Sequence, residues 1–334
     1  MRQLSSFLLL AIIGALSVSE YAAAAPQTES VHQSVVRGLR ILKRGAIDYE
    51  EHRACFSCHH QTLPMLAQAT ARKHGFAIDN TLFRQQARIT HDGFKNRQDK
   101  LHAGNGIGGQ SMTVAYALWA LHIADWEPDK TTDAMTAYLI KTQRTDGGFY
   151  TSKTRPPLED SPFTSAAIAA YYLDQFVNES RREEADTVIA KALDKLFRSE
   201  PTRQEDLNSR LWGLHLLNAG KDAIKAARRT VLNAQRPDGG WGQLPGMESD
   251  SYATGQALWM LQETGARVAS PAYRKGVDYL LKTQRADGSW FVKSRSKPIQ
   301  THFESGFPYE KDQFISISGT SWAVAALAAS VETK

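Results

Sequence analysis

YLIKTQRTDGGFY (138–150), TVLNAQRPDGGWG (230–242) and YLLKTQRADGSWF (279–291) are three copies of one pattern. Each ends a helix-forming run on a glutamine, turns at an Asp-Gly pair and closes on an aromatic residue. The glutamines, Gln143, Gln235 and Gln284, stand 92 and 49 residues apart. The first spacing is about twice the second, so a degenerate copy belongs between them. ALDKLFRSEPTRQEDL (192–207) sits there, its Gly-rich turn lost. A period of roughly 45–50 residues marks an array of supersecondary units, none able to bury its apolar face alone.

Two kinds of helical pattern alternate around these copies. QSMTVAYALWALHIA, SPFTSAAIAAYYLDQF, SRLWGLHLLNAG, SYATGQALWMLQETG and GTSWAVAALAAS are Ala-rich and apolar around most of the helix, which predicts burial. Several open on a Ser or Thr suited to cap a helix N-terminus. Segments such as EEADTVIAKALDKLF carry one apolar stripe and are charged elsewhere, as solvent-facing helices are. Counting backward, VHQSVVRGLRILKRG precedes HQTLPMLAQATARKHG, and NTLFRQQARITHDGF precedes the segment that begins at Gln110. The expected fold class is therefore all-α. About six outer-inner helical hairpins form an α/α toroid around a central cavity, as one domain over 26–334, with an open superhelix as the alternative.

The Q-x-x-x-G-x-W/F pattern at Gln143, Gln235 and Gln284 resembles the QW repeat of the squalene-hopene cyclase and protein prenyltransferase superfamily. The resemblance spans nearly the whole chain after its first residues and implies the toroid. In that superfamily the glutamine and aromatic tie an outer helix to the next inner one. The resemblance does not bring the superfamily's chemistry with it. The cyclases protonate an alkene with a D-x-D-D cluster at an inner-helix start; here the position reads ESDSYATGQALWML (248–261), with Ser249 and Ser251 breaking the cluster. LEDSPFTSA (158–166) is a second, equally incomplete acidic start, and an Asp in either place also serves as a helix cap. The Asp-Cys-His zinc site of prenyltransferase β-subunits and the C-G-E-Q run of thioester toroids both need a cysteine this chain lacks.

Both cysteines lie in RACFSCHHQTLP (53–64). Cys55-Phe56-Ser57-Cys58-His59 has the C-x-x-C-H spacing of covalent c-type haem attachment. Two thiols three residues apart reach the two vinyl groups on one side of a porphyrin. The next histidine turns onto the iron as proximal ligand. The expectation is one covalent haem c per chain, held by Cys55, Cys58 and His59. A zinc site would need a fourth ligand at finger-like spacing, a redox disulfide a thioredoxin-like setting, and a structural disulfide no more than the pair itself.

His302, Met247 and Met112 are the candidate distal iron ligands, the two methionines because they stand close to inner-helix starts. His60, which cannot share an iron with its neighbour, is expected to orient a propionate or a bound ligand. Asp250, His60 and Tyr252 are the candidate catalytic residues. The expected cavity lining includes Tyr116, Trp119, Tyr171, Trp212, Tyr252 and Trp259. KSRSKPIQTHFESGFPYEKDQFIS (293–316) is the longest connection, studded with aromatics and expected to be ordered over the cavity. FESGFP and C-x-S-C-H-H-Q are similar to segments of exported bacterial proteins of this repeat class.

Arg2, the apolar run Phe7–Val18 and the Ala22–Ala25 stretch read as a signal peptide over residues 1–25, so export is expected, to the periplasm if the source is Gram-negative. No later stretch is long enough for an integral membrane span. The net charge of +5, from 40 Lys and Arg against 35 Asp and Glu, is mild and interleaved, which argues against nucleic acid. The expected partners are a redox protein or a small or apolar ligand in the toroid. The expected activity is electron transfer or haem-dependent oxidation, with terpene-cyclase-like chemistry on Asp250 or Asp160, or a non-enzymatic binding toroid, as rivals.

Overall fold

The computed structural model describes residues 11–331 except 54, 153 and 298–300, with side chains from Ser30 onward. The first ten residues of the expected leader lie outside the described residues. Among the described residues there are thirteen α-helices and no strand. None of these helices is long and apolar enough to cross a membrane.

Six helices form an outer layer: α1 (Ala11–His52), α3 (Asn80–Lys95), α6 (Lys130–Thr142), α8 (Arg182–Arg198), α10 (Lys221–Asn233) and α12 (Pro271–Thr283). Six more form an inner layer: α2 (Leu63–Lys73), α5 (Gln110–Ile123), α7 (Pro162–Phe176), α9 (Gln204–Leu216), α11 (Ser251–Glu263) and α13 (Gln313–Ala329). A short α4 (Gln98–Ala103) sits between α3 and α5. Each inner helix packs on the next, and α13 packs on α2, so the layer closes into a ring. The expected α/α toroid is the observed fold.

The helix starts follow local rules. Asp129 forms a capping box with Thr132 at α6, Ser161 accepts from the amides of Phe163 and Thr164 at α7, and Ser270 caps α12. α5, α7, α11 and α13 are buried along most of their length, as their unbroken apolar composition requires.

The repeated turn explains its own composition. In all three copies the residue after the glutamine donates its amide to the carbonyl four residues on: Arg144 to Gly148 (2.8 Å), Arg236 to Gly240 (2.9 Å), Arg285 to Ser289 (2.9 Å). The aspartate carboxylate then accepts an amide two residues later, from Gly148, Gly240 or Ser289. Gly147, Gly239 and Gly288 have φ of +82°, +89° and +92°. A Cβ on any of them would lie 2.3–2.5 Å from a carbonyl oxygen of the next outer helix, at Lys191, Lys275 or Arg37. Glycine is needed for both reasons.

Gln143, Gln235 and Gln284 do not tie to the next inner helix, as the repeat resemblance implied. Each donates its Nε2 to the next outer helix instead, at Val188 (2.8 Å), Ala272 (2.7 Å) and Ser34 (2.9 Å). The tryptophans make the inner link: Trp241 and Trp290 donate their main-chain amides to Thr254 of α11 and Thr320 of α13, and their indole N–H back to α10 and α12. In the degenerate copy, Ser199 ends α8 in the same extended conformation but has no amide to reach across.

Aromatic side chains of the inner helices meet within the ring. Trp119 contacts Trp212 (4.9 Å between ring centres), Tyr116 and Tyr172 (5.8 Å each) and Trp322 (6.2 Å), and Trp259 contacts Trp212 and Trp322 at 5.4 and 5.5 Å. These aromatics lie buried against one another, each contact adding about 0.5–1.5 kcal/mol beyond area burial. Tyr171, at the edge, is half-buried.

A Gly288→Ala substitution is expected to destabilise the fold by about 3 kcal/mol, from a strained φ together with a backbone clash. Gly75→Ala, at φ +85° but with nothing within 4 Å of its Cβ, should cost only about 1 kcal/mol. Urea denaturation of both variants measures the difference, and equal losses would remove the ring-closing role of the turn.

Candidate functional site at the mouth of the ring

The connections entering α2, α7 and α13 meet at one end of the ring. After α1 ends at His52, the chain runs through Cys55 to Ser57. Ser57 caps a single π-helical turn, Cys58–Thr62, by accepting the His60 amide at 3.3 Å. The turn continues into α2. It buries Cys58, His59, His60, Gln61 and Thr62 together, and a π-turn at a functional position is a recurring arrangement.

Two adjoining cavities open here. A recess of about 140 Å³ is lined by Cys55, Cys58, His59, Arg155, Glu159 and Tyr49, among others. A larger cavity of about 380 Å³ is lined by His59, His60, Arg155, Phe303 and Phe314, with Lys297, His302 and Lys311 also on its wall. His59, Arg155 and Phe303 belong to both. The connection 301–312 forms one wall and is pinned by Gln313, which donates to the Phe303 carbonyl (2.6 Å) and accepts the Ser305 amide (2.8 Å).

Both cysteines are free thiols, Cys55 exposed and Cys58 buried. Cys55 Sγ lies 3.6 Å from the Tyr49 hydroxyl. Cys58 Sγ lies 3.6 Å from His59 Nδ1 and 3.7 Å from Glu159 Oε1, to which the thiol donates. Burial, then the Glu159 carboxylate, push the Cys58 thiol well up, so it is protonated at neutral pH. Glu159 is itself raised by burial, against the pull of Arg155 at 3.5 Å.

Burial pushes His59 well below the usual imidazole range, with His60 and Arg155 adding to it, and takes His60 down to about 3. Both rings are neutral. His60 stacks on Tyr49 at 4.4 Å, and neither of its ring nitrogens has a hydrogen-bond partner. His59 Nδ1 faces Cys58, which leaves Nε2 as the nitrogen able to bind a metal.

Among the described residues, no three His, Cys, Asp or Glu side chains converge as a site for a bare metal ion. The set does match the needs of haem c: two free thiols and a neutral imidazole on one recess, and a larger cavity beside the imidazole. Of the distal candidates, His302 alone shares the cavity with His59; its Nε2 is 2.8 Å from Glu304. Met112 is buried in α5 and Met247 lies in the turn before α11, and neither lines either cavity.

Asp250 and Tyr252 line neither cavity. They belong to a buried polar group at the starts of α7, α9 and α11. Asp250 caps α11 by accepting the Ala253 amide (3.0 Å), and its other oxygen is buried without a partner. Arg203 bridges Asp160 and Asp206. Glu205, 3% exposed, accepts the Thr164 hydroxyl at 2.7 Å, and its carboxyl lies with the Tyr252 hydroxyl and the Trp322 indole N–H in one buried polar group. Burial raises Asp250 to about 6 and Glu205 to about 7, the latter against hydrogen bonds from Thr164 and Gln256. Sequence reasoning missed Arg155, Glu159 and Glu205. The run RQED at an inner-helix start was the available signal for Glu205, an acid where a buried helix has no use for one.

No protein-family model matches the chain. It is 30% identical over 190 residues, half its length, to a drimenyl diphosphate synthase from Streptantibioticus cattleyicolor, and covers 32% of that relative's own length. Among solved structures it resembles the type II terpene cyclase MstE from Scytonema in complex with its substrate geranylgeranyl dihydroxybenzoate, at TM-score 0.59, 14% identity, 92% of this chain and 99% of that one. A protein from Actinoplanes matches at TM-score 0.58 and 15% identity (90% and 100% covered). A glycosidase matches at 0.57 and 9% (90% and 98%). The chain has the terpene-cyclase-like toroid fold, and the presence of a glycosidase on it shows that the fold leaves the reaction open.

For a carboxyl whose folded pKa is raised, the folded chain keeps a proton the unfolded chain has released. Stability is then lost as pH rises from the unfolded to the folded value. Glu205→Gln is therefore expected to gain on the unsubstituted chain by at most about 3 kcal/mol between pH 4.5 and 7. Paired denaturation curves across that range test it; a constant difference would mean that Glu205 is not a raised acid.

Proposed function

We propose that the mouth of the ring carries one covalent haem c, and that the protein acts in electron transfer or as a haem oxidoreductase on a small or apolar substrate. The observation that carries this reading is the convergence of Cys55, Cys58 and neutral His59 on one recess that adjoins the larger cavity. Each thiol would add its S–H across one vinyl group, sulfur to one carbon and hydrogen to the other, with no net oxidation. His59 would supply Nε2 to the iron, its orientation held by the contact of Nδ1 with Cys58. His302 stands on the cavity wall as the candidate sixth ligand. Bound haem supplies one-electron redox chemistry, and an open sixth position adds peroxide or oxygen chemistry. Around it, Phe303 and Phe314 would exclude water, and the buried His60 would orient a ligand. Export, expected from the leader, supplies the compartment in which such attachment takes place.

A second reading is favoured by Glu205. A buried carboxyl protonated near neutrality, beside the Tyr252 hydroxyl and a cage of Trp212, Trp259 and Trp322, is the equipment for protonating an alkene and stabilising the resulting cation. The synthase and the cyclase to which the chain is similar support this reading at the level of the fold. In this arrangement the rings of Trp119, Trp212, Trp259 and Trp322 pack on one another at 4.9–5.5 Å beside the acid.

The two readings separate on one preparation. Chain exported from cells equipped for c-type maturation is expected to show a Soret band and a haem that resists acid-acetone extraction. Both should be lost in Cys55→Ala/Cys58→Ala and retained in Glu205→Gln. A colourless, folded protein that cyclises a linear isoprenoid, and stops doing so in Glu205→Gln, would overturn the haem reading in favour of the second.

A further inference from the structure

The larger cavity is chemically asymmetric. Its ionisable wall groups are Arg155, Lys297 and Lys311 against the single carboxylate of Asp312, with three neutral or solvent-facing histidines. Asp312 is already engaged, accepting the Ser294 amide at 2.8 Å. Arg155 leans on Glu159 at 3.5 Å, whereas Lys297 and Lys311 have no ion-pair partner among the described residues. At the floor, His60 is 1% exposed and neither ring nitrogen is paired, although a buried polar atom without a partner costs about 1–3 kcal/mol. Phe303 and Phe314 make the apolar side. A site with an unsatisfied buried imidazole, a surplus of cations and an aromatic wall matches one kind of occupant.

We propose that this cavity binds an anionic head group, a carboxylate, carried on an apolar body: His60 donates from the floor, Arg155, Lys297 and Lys311 compensate the charge, and Phe303 and Phe314 cover the apolar part. The inference stands on the cavity and does not need the cysteines to carry haem. The carboxylate has two possible sources, the propionates of a bound haem or the head group of a free ligand, and the same cations serve either.

The test uses full-length chain produced without c-type maturation, titrated calorimetrically with decanoate and, separately, decanol. Decanoate is expected to bind at least about tenfold more tightly, the value of one charge-assisted hydrogen bond. The preference should weaken at high salt and disappear in Lys297→Gln/Lys311→Gln, whose exposed positions leave the fold unaffected. Equal affinity for the two probes, or a preference unchanged in the double variant, would overturn the proposal. Repeating the titration on matured protein separates the sources. Decanoate excluded by attached haem assigns the cations to propionates, and decanoate still bound assigns them to a free ligand. A chain that never takes up haem but prefers decanoate would sink the haem reading and leave this one standing.

Discussion

Gln284 Nε2 donates to the carbonyl of Ser34, 250 residues away in the chain, and its Oε1 accepts the Ser34 hydroxyl at 2.7 Å and the Arg37 guanidinium at 2.6 Å. Gly288 lies against the Arg37 carbonyl beside it. The same glutamine and glycine join successive outer helices elsewhere, but here they join the last hairpin to the first. Without that junction the array would be an open superhelix with two unpaired ends, each exposing the apolar flank of an inner helix. With it, α13 seats on α2, and the inner helices have no exposed end to bury. The entropy of closing so long a loop grows only slowly with its length, so a modest set of hydrogen bonds and aromatic contacts suffices.

Closure fixes where chemistry is possible. The inner helices are packed side by side, their aromatic residues meet within the ring, and the two cavities lie at its end. That is the end where the connections enter α2, α7 and α13. Those connections break the repeat: a C-x-x-C-H-H run in place of an Asp-Gly turn, the Arg155–Glu159 segment, and the aromatic 301–312 wall. Hairpin packing holds them together without their having to stabilise the fold themselves, and that is the usual division between scaffold and site.

Burial gives this mouth its electrostatic character. His59 and His60 are driven neutral, and the Cys58 thiol stays protonated beside a raised Glu159. Deeper in, Glu205 and Asp250 keep protons that exposed carboxyls would shed. The charge facing the open cavity is mostly cationic, Arg155, Lys297 and Lys311 against the one carboxylate of Asp312. Neutral imidazoles and the cationic side chains of the rim are the features on which the proposed occupant, apolar in body and anionic at its edge, rests.

Much of this was readable in advance because the repeat states it three times. The Asp-Gly turns, the alternation of striped and fully apolar helices, and the count of six pairs all follow from local rules of period and turn chemistry. The structure places Cys55, Cys58 and His59 on one recess, and the cysteine motif was visible as a pattern of five residues. Arg155, Glu159, Lys297 and Glu205 were not, because each acquires its role from a neighbour on another hairpin: Glu159 from Cys58, 101 residues away, and Glu205 from Thr164 and the rings of α11 and α13. The resemblance also assigned the repeat glutamine to the wrong layer, because sequence spacing cannot distinguish an amide that reaches inward from one that reaches sideways. The sequence by itself determined an α/α repeat with a thiol-histidine motif in its first turn. Only the tertiary structure decided that the motif opens on a cationic cavity at the rim, because volume and charge in a ring are set by residues that meet across hairpins.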